Sequence, residues 1–347
     1  MSPVAAQRIL RFAFGTALAL WVSQVVNWSV SFIAPVLLSF LLALPLPAPG
    51  LKKGLVFVVV LVVPVWVSTW LLLPILSHYP VAGMILLVLA SFWSFYYSAN
   101  GGSPVLGAFL TIGIAVVVAI GSVSVDAVLA VNKALSINAL IAVGFLWLAY
   151  ILFPDKPQDG AMPSRPQVPS PSRQEAIRSA WRSTLIVAPV ILFFLFYEDS
   201  ASYLVVMIKV ASMGQQVEND QTRQAGKSLL MSTIIGGAGA VIMWNLLSIW
   251  PSLILYVLLV ALGGLVMGRH IFSGQGMHAQ GGMWSYAFLT MLVIIAPAVM
   301  DAPGMGAAGA KFFDRLLMMF WATLYAVAAV NVFDAFWRGK AAQAVVE

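Results

Sequence analysis

The chain has 347 residues, of which 61% are hydrophobic and 9% charged, with a mean hydropathy of +0.97. A soluble domain is about half apolar and about a quarter charged, so this much apolar surface cannot be hidden in a water-soluble core, and the class is a polytopic membrane protein. The 18 Lys and Arg against 12 Asp and Glu leave a net charge of +6. They cluster at the ends of apolar runs, so the basic balance reads as membrane topology and not as a nucleic-acid footprint. With no cysteine, disulfides and thiolate metal sites are excluded.

Met1 to Arg11 is too short for a cleaved signal peptide and leads into a retained helix. Twelve spans of membrane-crossing character follow, judged against runs of about 17–25 apolar residues. The first six are 12–27, 30–46, 54–76, 80–98, 104–124 and 136–153. Residues 154–182 form a linker: Asp155 to Ser172 is rich in Pro, Ser and Gln and is expected to be extended or disordered. Ser172 to Arg182 reads as a basic amphipathic helix on the inner surface, or as charge that keeps this loop in the cytosol. The last six spans are 184–198, 200–217, 227–246, 249–268, 283–300 and 316–336. Spans 30–46 and 184–198 are short for a bilayer, which implies tilt, a break or burial in protein. All twelve are expected to be helical, because a helix satisfies its own backbone in lipid.

Basic residues set the orientation. With the N-terminus inside, cytoplasmic segments hold Arg8, Arg11, Lys52, Lys53, Lys156, Arg165, Arg173, Arg178, Arg182, Arg223, Lys227, Arg269, Arg338 and Lys340, 14 of the 18. Outer loops hold Lys133, Lys311 and Arg315, and Lys209 falls within a span. Six spans per half put both halves the same way up.

The halves also echo each other. Gly101-Gly102 precedes Ala108-Phe109-Leu110-Thr111 much as Gly281-Gly282 precedes Ala287-Phe288-Leu289-Thr290. Leu10-Arg11-Phe12-Ala13 is matched by Ile177-Arg178-Ser179-Ala180, and Lys133 by Lys311. A slowly drifting offset is the mark of tandem duplication. The predicted fold is therefore an all-α polytopic membrane protein of about twelve transmembrane helices. It divides into two tandem six-helix repeats in one orientation, 1–153 and 183–347, joined by 154–182. Repeated halves are a transporter signature, since similar bundles rock about a shared site.

Each half opens with a basic lead-in, Gln7-Arg8-Ile9-Leu10-Arg11 and Arg173-Gln174-Glu175-Ala176-Ile177-Arg178, followed by a helix hairpin. In the second half Gln221-Thr222-Arg223 then runs into the glycine-rich helix Ser232-Thr233-Ile234-Ile235-Gly236-Gly237-Ala238-Gly239. In this the chain resembles the fusaric acid resistance and aromatic acid exporter superfamily, whose halves carry an arginine and then glycines in that helix. The first half departs from the pattern, with Lys52-Lys53-Gly54-Leu55 and a valine run, and the short linker marks a branch without the large cytoplasmic domain. The resemblance implies a bacterial inner-membrane exporter of small organic anions, working with a periplasmic membrane-fusion protein. It also covers a branch of malate channels.

Lys209 is the outlier for chemistry, an ammonium in mid-span in Tyr203-Leu-Val-Val-Met-Ile-Lys209-Val-Ala-Ser212. An unpaired lysine there costs about 2.5–3.5 kcal/mol on insertion scales. It shares a stripe with Ser202, Val205, Ser212 and Gln216, so Lys209, Ser212 and Gln216 are the expected anion-binding residues. The alternatives are a structural ion pair, or snorkelling toward an interface. Glu198 and Asp199, in an outer turn, are the expected proton-coupling carboxylates, against a simple solvated turn. Asp334 is expected to pair with Arg338 at i+4. Pro35 and Pro189 are expected hinges in the related hairpins, and Gly236, Gly237 and Gly239 a close-packing surface. Trp28, Trp70, Trp244, Trp250 and Trp284 fit an interfacial belt. Trp66, deeper in its span, is the first candidate for an aromatic cradle.

No HExxH, GxSxG or Walker loop is present, so no enzyme, metal site or cofactor is expected, and a proton gradient is the natural energy source. The expectation is proton-driven antiport of a small anionic, aromatic-acid-like compound by a homo-oligomer in the lipid bilayer, with both termini cytoplasmic. A passive organic-anion channel and a non-transporting membrane scaffold are the alternatives.

Overall fold

The computed structural model describes residues 2–343 apart from 29, 45, 103, 122–123, 155–171, 197–203, 220–224, 275 and 301–304. The helices are α1 (Pro3–Val26), α2 (Ile33–Ala43), α3 (Leu51–His78), α4 (Pro80–Ala99), α5 (Pro104–Gly121), α6 (Val125–Leu152), α7 (Arg173–Leu195), α8 (Leu204–Asn219), α9 (Ala225–Ile249), α10 (Leu253–Ile271), α11 (Gly281–Met300) and α12 (Met305–Gln343). Two short strands, β1 (Phe272–Ser273) and β2 (Gly276–Met277), pair antiparallel after α10. Among the described residues nine helices are long and apolar enough to cross a membrane: α1, α3, α4, α6, α7, α9, α10, α11 and α12. The chain is an all-α, multi-pass membrane protein.

Several helices start or end where the apolar run does not. α7 begins at Arg173, capped by Ser172, whose hydroxyl accepts from Glu175 N while the Glu175 carboxylate accepts from Ser172 N. This capping box fixes the start, and nothing between Arg173 and Pro189 breaks the helix. The expected surface helix 172–182 and span 184–198 are thus one 23-residue helix, and α7 is not short. The short elements are α2, of 11 residues, and α8, of 16. Arg315, expected in an outer loop, lies inside α12 and is buried.

The structure forms two compact units, and they are not the sequence halves. Unit 1 comprises Met1–Val62, Val131–Ser170 and Ile234–Phe312; unit 2 comprises Val63–Ala130, Pro171–Thr233 and Phe313–Glu347. Helices α3, α6, α9 and α12 each contribute residues to both.

In unit 1, α1 packs on α10 and α2, α2 on α11, and α10 on α11. Gly264 permits the α1–α10 approach: a Cβ there would stand 2.7 Å from Ala13 Cα, closer than real side chains tolerate. Phe12 sits 4.7 Å from Phe288 and 6.0 Å from Phe272, ring centre to ring centre. Arg11 donates from Nε (3.0 Å) and Nη2 (2.6 Å) to Phe153 O, at the end of α6, with its guanidinium 3.7 Å over the Tyr150 ring. A cation at a helix C-terminus meets the unsatisfied carbonyls there. The amide of Gln7 donates to Pro154 O at the same place.

Asn27, in left-handed backbone (φ 50°), ends α1. α2 has no side-chain cap of its own. Asn138 of α6 supplies one: its Oδ1 accepts from Ala34 N (3.0 Å) and from Trp28 Nε1 (3.0 Å), while Nδ2 donates to Ala134 O (2.7 Å). Trp28 is therefore tied into the protein, whereas Trp70 and Trp250 are exposed. Pro35 is the third residue of α2, where a backbone N–H would have no helical acceptor anyway. It is a first-turn proline and does not interrupt α2.

Gly236 and Gly239 lie against α11. A Cβ at Gly236 would fall on Ala287 O and 2.6 Å from Thr290 Cβ, and one at Gly239 would lie 3.0 Å from Met291 Sδ. Gly237 is buried beside them. Gly236→Ala would gain at most about 1 kcal/mol in helix propensity but lose about 1–3 kcal/mol to overpacking. The expected outcome is a lower thermal midpoint of the full chain in detergent.

In unit 2, α7 packs on α4 and α8, α8 on α5, and α4 on α5. Ser94 Oγ lies 2.7 Å from Gly107 O and 2.8 Å from Thr111 Oγ1, and Thr111 also donates to Gly107 O (3.0 Å). Phe92 meets Trp181 at 4.8 Å. Ser68 and Val65 of α3 close on Gly113 of α5, where a Cβ would lie 2.9 Å from both Ser68 Oγ and Val65 Cα.

Candidate functional site: a buried lysine on a short helix

α8 runs over the 16 residues Leu204–Asn219. Val206, Met207, Lys209, Val210, Ala211 and Met213 are all buried. At about 100° per residue these positions make up one face of α8, with Ile208 and Ser212 partly exposed on the other. Gly214 lets it close on its neighbours: a Cβ there would be 2.6 Å from both Phe95 Cζ and Val187 Cγ2. Ser183 of α7 donates to Gly214 O at 3.0 Å.

Lys209 is 1% exposed, so its ammonium is inside the protein and does not snorkel to an interface. Ser212 Oγ donates to Lys209 O at 2.6 Å, the local back-bond typical of a serine within a helix. This uses the hydroxyl proton and leaves its oxygen as an acceptor only. The Gln216 side chain, Glu198 and Asp199 lie outside the described residues. The three expected binding residues, Lys209, Ser212 and Gln216, all lie on α8.

Pro189 stands inside α7, where it cannot donate to Leu185 O, its i−4 carbonyl. Tyr325 of α12 donates its hydroxyl to that carbonyl at 2.8 Å. The break in α7 is thus held by a neighbouring side chain. Tyr325→Phe is expected to cost about 1 kcal/mol, read as a shift in thermal midpoint. In a Pro189→Ala background it should cost little, because the backbone N–H that the alanine restores then satisfies Leu185 O.

Sequence reasoning missed several polar positions in unit 2. Asp334 is met from another helix: Arg182 Nη2 is 2.9 Å from Asp334 Oδ2, and Arg178 Nη2 is 4.0 Å from Oδ1. The Arg338 side chain lies outside the described residues. Thr323 Oγ1 donates to Met319 O (2.8 Å) and lies 3.1 Å from Thr233 Oγ1 and 3.9 Å from Met213 Sδ. Arg315 is 8% exposed. A signal for it existed: Arg315, Met319, Thr323, Ala326 and Val330 recur at three- and four-residue intervals, the period of one helical face. In unit 1, His270 stacks on Trp284 at 4.3 Å, and among the described residues no three His, Asp or Glu gather as metal ligands.

The fold and site thus define a multi-pass helical membrane protein with a buried lysine on the 16-residue α8. A family model, described as Protein of unknown function (DUF2955), matches residues 8–149. The chain is similar to that family from the first turns of α1 to the last turn of α6, a stretch of 142 residues (8 to 149) out of 347. No curated protein and no solved structure matches the chain.

Proposed function

We propose that the chain is a proton-driven exporter of small organic anions in the bacterial inner membrane, with both termini cytoplasmic. Its twelve helices would be membrane-embedded as two tandem six-helix repeats. The observation that carries the transport reading is Lys209, a cation at 1% exposure within α8. Ionisable groups at membrane depth are costly and mark substrate or ion pathways. A positively charged residue selects for an anion.

Duplication is supported by packing that repeats when every helix number is raised by six, counting past α12 to α1. The α1–α10 contact has its counterpart in α7–α4, α2–α11 in α8–α5, and α1–α2 in α7–α8. Thr111 donates to Gly107 O as Thr290 donates to Tyr286 O. Arg11 holds the inner end of α6 and Arg182 that of α12. The family match ending at 149 is also what one six-helix repeat would produce.

The chain is read as a homo-oligomer that hands its cargo to a periplasmic membrane-fusion protein. The resemblance to the aromatic acid exporters supports both points and adds ring-bearing acids to the substrates to be tried. The test is flux of benzoate and phthalate in proteoliposomes under an imposed proton gradient. Accumulation that collapses with a protonophore is expected. Flux that survives the protonophore would identify a passive channel, and no flux of either acid would leave a scaffold.

A further inference from the structure

Unit 1 has enclosed polar groups of its own. Tyr256 of α10 is 1% exposed, and Thr16 and Ser31 are fully buried. The Tyr256 hydroxyl, Thr16 Oγ1, Ser31 Oγ and Gln24 Nε2 are buried without a hydrogen-bond partner among the described residues. Buried polar atoms are as a rule hydrogen-bonded, so four of them on neighbouring elements ask for a common partner.

Close approaches fix their heights. A Cβ at Gly268 would lie 3.2 Å from Ile9 Cγ2, and one at Gly264 2.7 Å from Ala13 Cα. α1 and α10 therefore run antiparallel, each step back along α10 matching a step forward along α1. Continued at that register, Tyr256 is level with residue 21 of α1, three short of Gln24, or about 4.5 Å at about 1.5 Å per residue. A helical side chain leans toward the N-terminus of its own helix, so on antiparallel helices Tyr256 and Gln24 lean toward each other. Asn27 ends α1, and α2 returns with Leu42 against Gly15. This register sets the start of α2, at Ile33, level with Gln24, and Ser31 just precedes it. Thr16 lies five residues below the Tyr256 level, about 7.5 Å. It is one turn on from Phe12, whose ring meets Phe288 of α11.

Charge is absent from this place. The elements α1, α11 and β1 pack on α10. α11, β1 and α2 carry no Asp, Glu, Lys, Arg or His. The charged residues of α1 are Arg8 and Arg11, ten or more residues from the Tyr256 level, about 15 Å. Arg269 and His270 lie at the far end of α10. The groups gathered here are neutral, and each can donate a hydrogen bond.

We infer that this end of unit 1 encloses an ordered water cluster hydrogen-bonded to Gln24, Ser31 and Tyr256, through which the proton of the exporter passes. Water held by several buried polar groups is part of many folds, and tyrosine and water chains both transfer protons. The Tyr256 hydroxyl accepts a proton from one water as it releases its own to the next. One O–H bond forms while another breaks, and the side chain ends neutral. Thr16 extends the row by one turn. The inference rests on the exporter reading and supplies its proton route.

The test is X-ray radiolytic labelling of the full-length chain in nanodiscs, read by mass spectrometry, beside benzoate transport in proteoliposomes. Radicals formed from enclosed water oxidise the side chains that the water touches. Tyr256 is expected to be oxidised faster than Phe12 and Phe288, which are as deeply buried at 1% and 0% exposure. Tyr256→Phe is expected to lose the benzoate accumulation that a proton gradient drives in wild type, while still exchanging benzoate at equal pH, where no net proton moves. Should Tyr256→Phe not fold, Gln24→Leu carries the test, and the fast labelling of Tyr256 should be lost in it. Three results would each overturn the inference and leave the exporter reading standing: Tyr256 labelled no faster than the two phenylalanines, gradient-driven accumulation intact in folded Tyr256→Phe, or labelling unchanged in folded Gln24→Leu. Wild type moving no acid would end the exporter reading and the proton role with it, while the labelling would still report the water.

Discussion

Replacing Asp334 by Asn is expected to destabilise the chain by about 3–5 kcal/mol, the range for removing one partner of an enclosed ion pair. Arg182 has a side chain 7% exposed and lies 2.9 Å from a carboxylate that is itself 17% exposed. The amide would keep the shape and remove the charge, leaving a guanidinium enclosed without its counterion. Arg178, at 4.0 Å and 40% exposed, is hydrated and adds little. The check is chemical or thermal unfolding of the purified chain in detergent, with Arg182→Gln and the Arg182→Gln, Asp334→Asn double variant beside it. The double variant should be more stable than Asp334→Asn alone, because the orphaned charge is gone. Equal stability of wild type and Asp334→Asn would mean that the pair is solvated.

The second large effect is expected at Asn138. Its Oδ1 accepts from two donors, the Trp28 indole and Ala34 N near the start of α2. Asn138→Leu fills the same space and leaves both donors without that acceptor, at about 1–3 kcal/mol each. Because the loss falls at the N-terminus of α2, it should be local before it is global: amide exchange at Ala34 should accelerate, along with a lower thermal midpoint. Trp28→Phe in the Asn138→Leu background removes one orphaned donor and should recover part of the loss. Unchanged exchange at Ala34 would rule out the capping role.

Helices were legible in the sequence because apolar runs between charges and turns are a strong signal; each expected run overlaps a helix among the described residues. Their ends were less so. The start of α7 was set by the reciprocal bonds of Ser172 and Glu175, which a hydropathy window does not register, and so its charged first turns were read as a separate surface helix. Arg315 was read as loop because it sits beside Lys311 and Asp314, a charged cluster at the edge of an apolar run, although its spacing with Met319 and Thr323 was already helical.

Lys209 was visible from the sequence, since a lysine within an apolar run is rare for energetic reasons. Its full enclosure was not, because that depends on which helices surround α8. Those pairings link distant parts of the chain, such as α4 with α7 and α1 with α10. Faces rich in Gly, Ala, Val and Leu all look alike in one dimension. Small residues such as Gly264 and Gly214 mark that a close approach exists without naming its partner. For the same reason the contact of Arg182 with Asp334 was not foreseen, since only Arg338 is a neighbour in sequence.

The most direct measurement is phthalate and benzoate counterflow in proteoliposomes containing Lys209→Gln, with monodisperse elution and the wild-type thermal midpoint establishing that the variant is folded. Counterflow of both acids is expected to fall to the level of empty liposomes, since the amide keeps most of the lysine stem without its charge. A folded Lys209→Gln chain that exchanges either acid at the wild-type rate would contradict the assignment of the enclosed cation to an anion pathway.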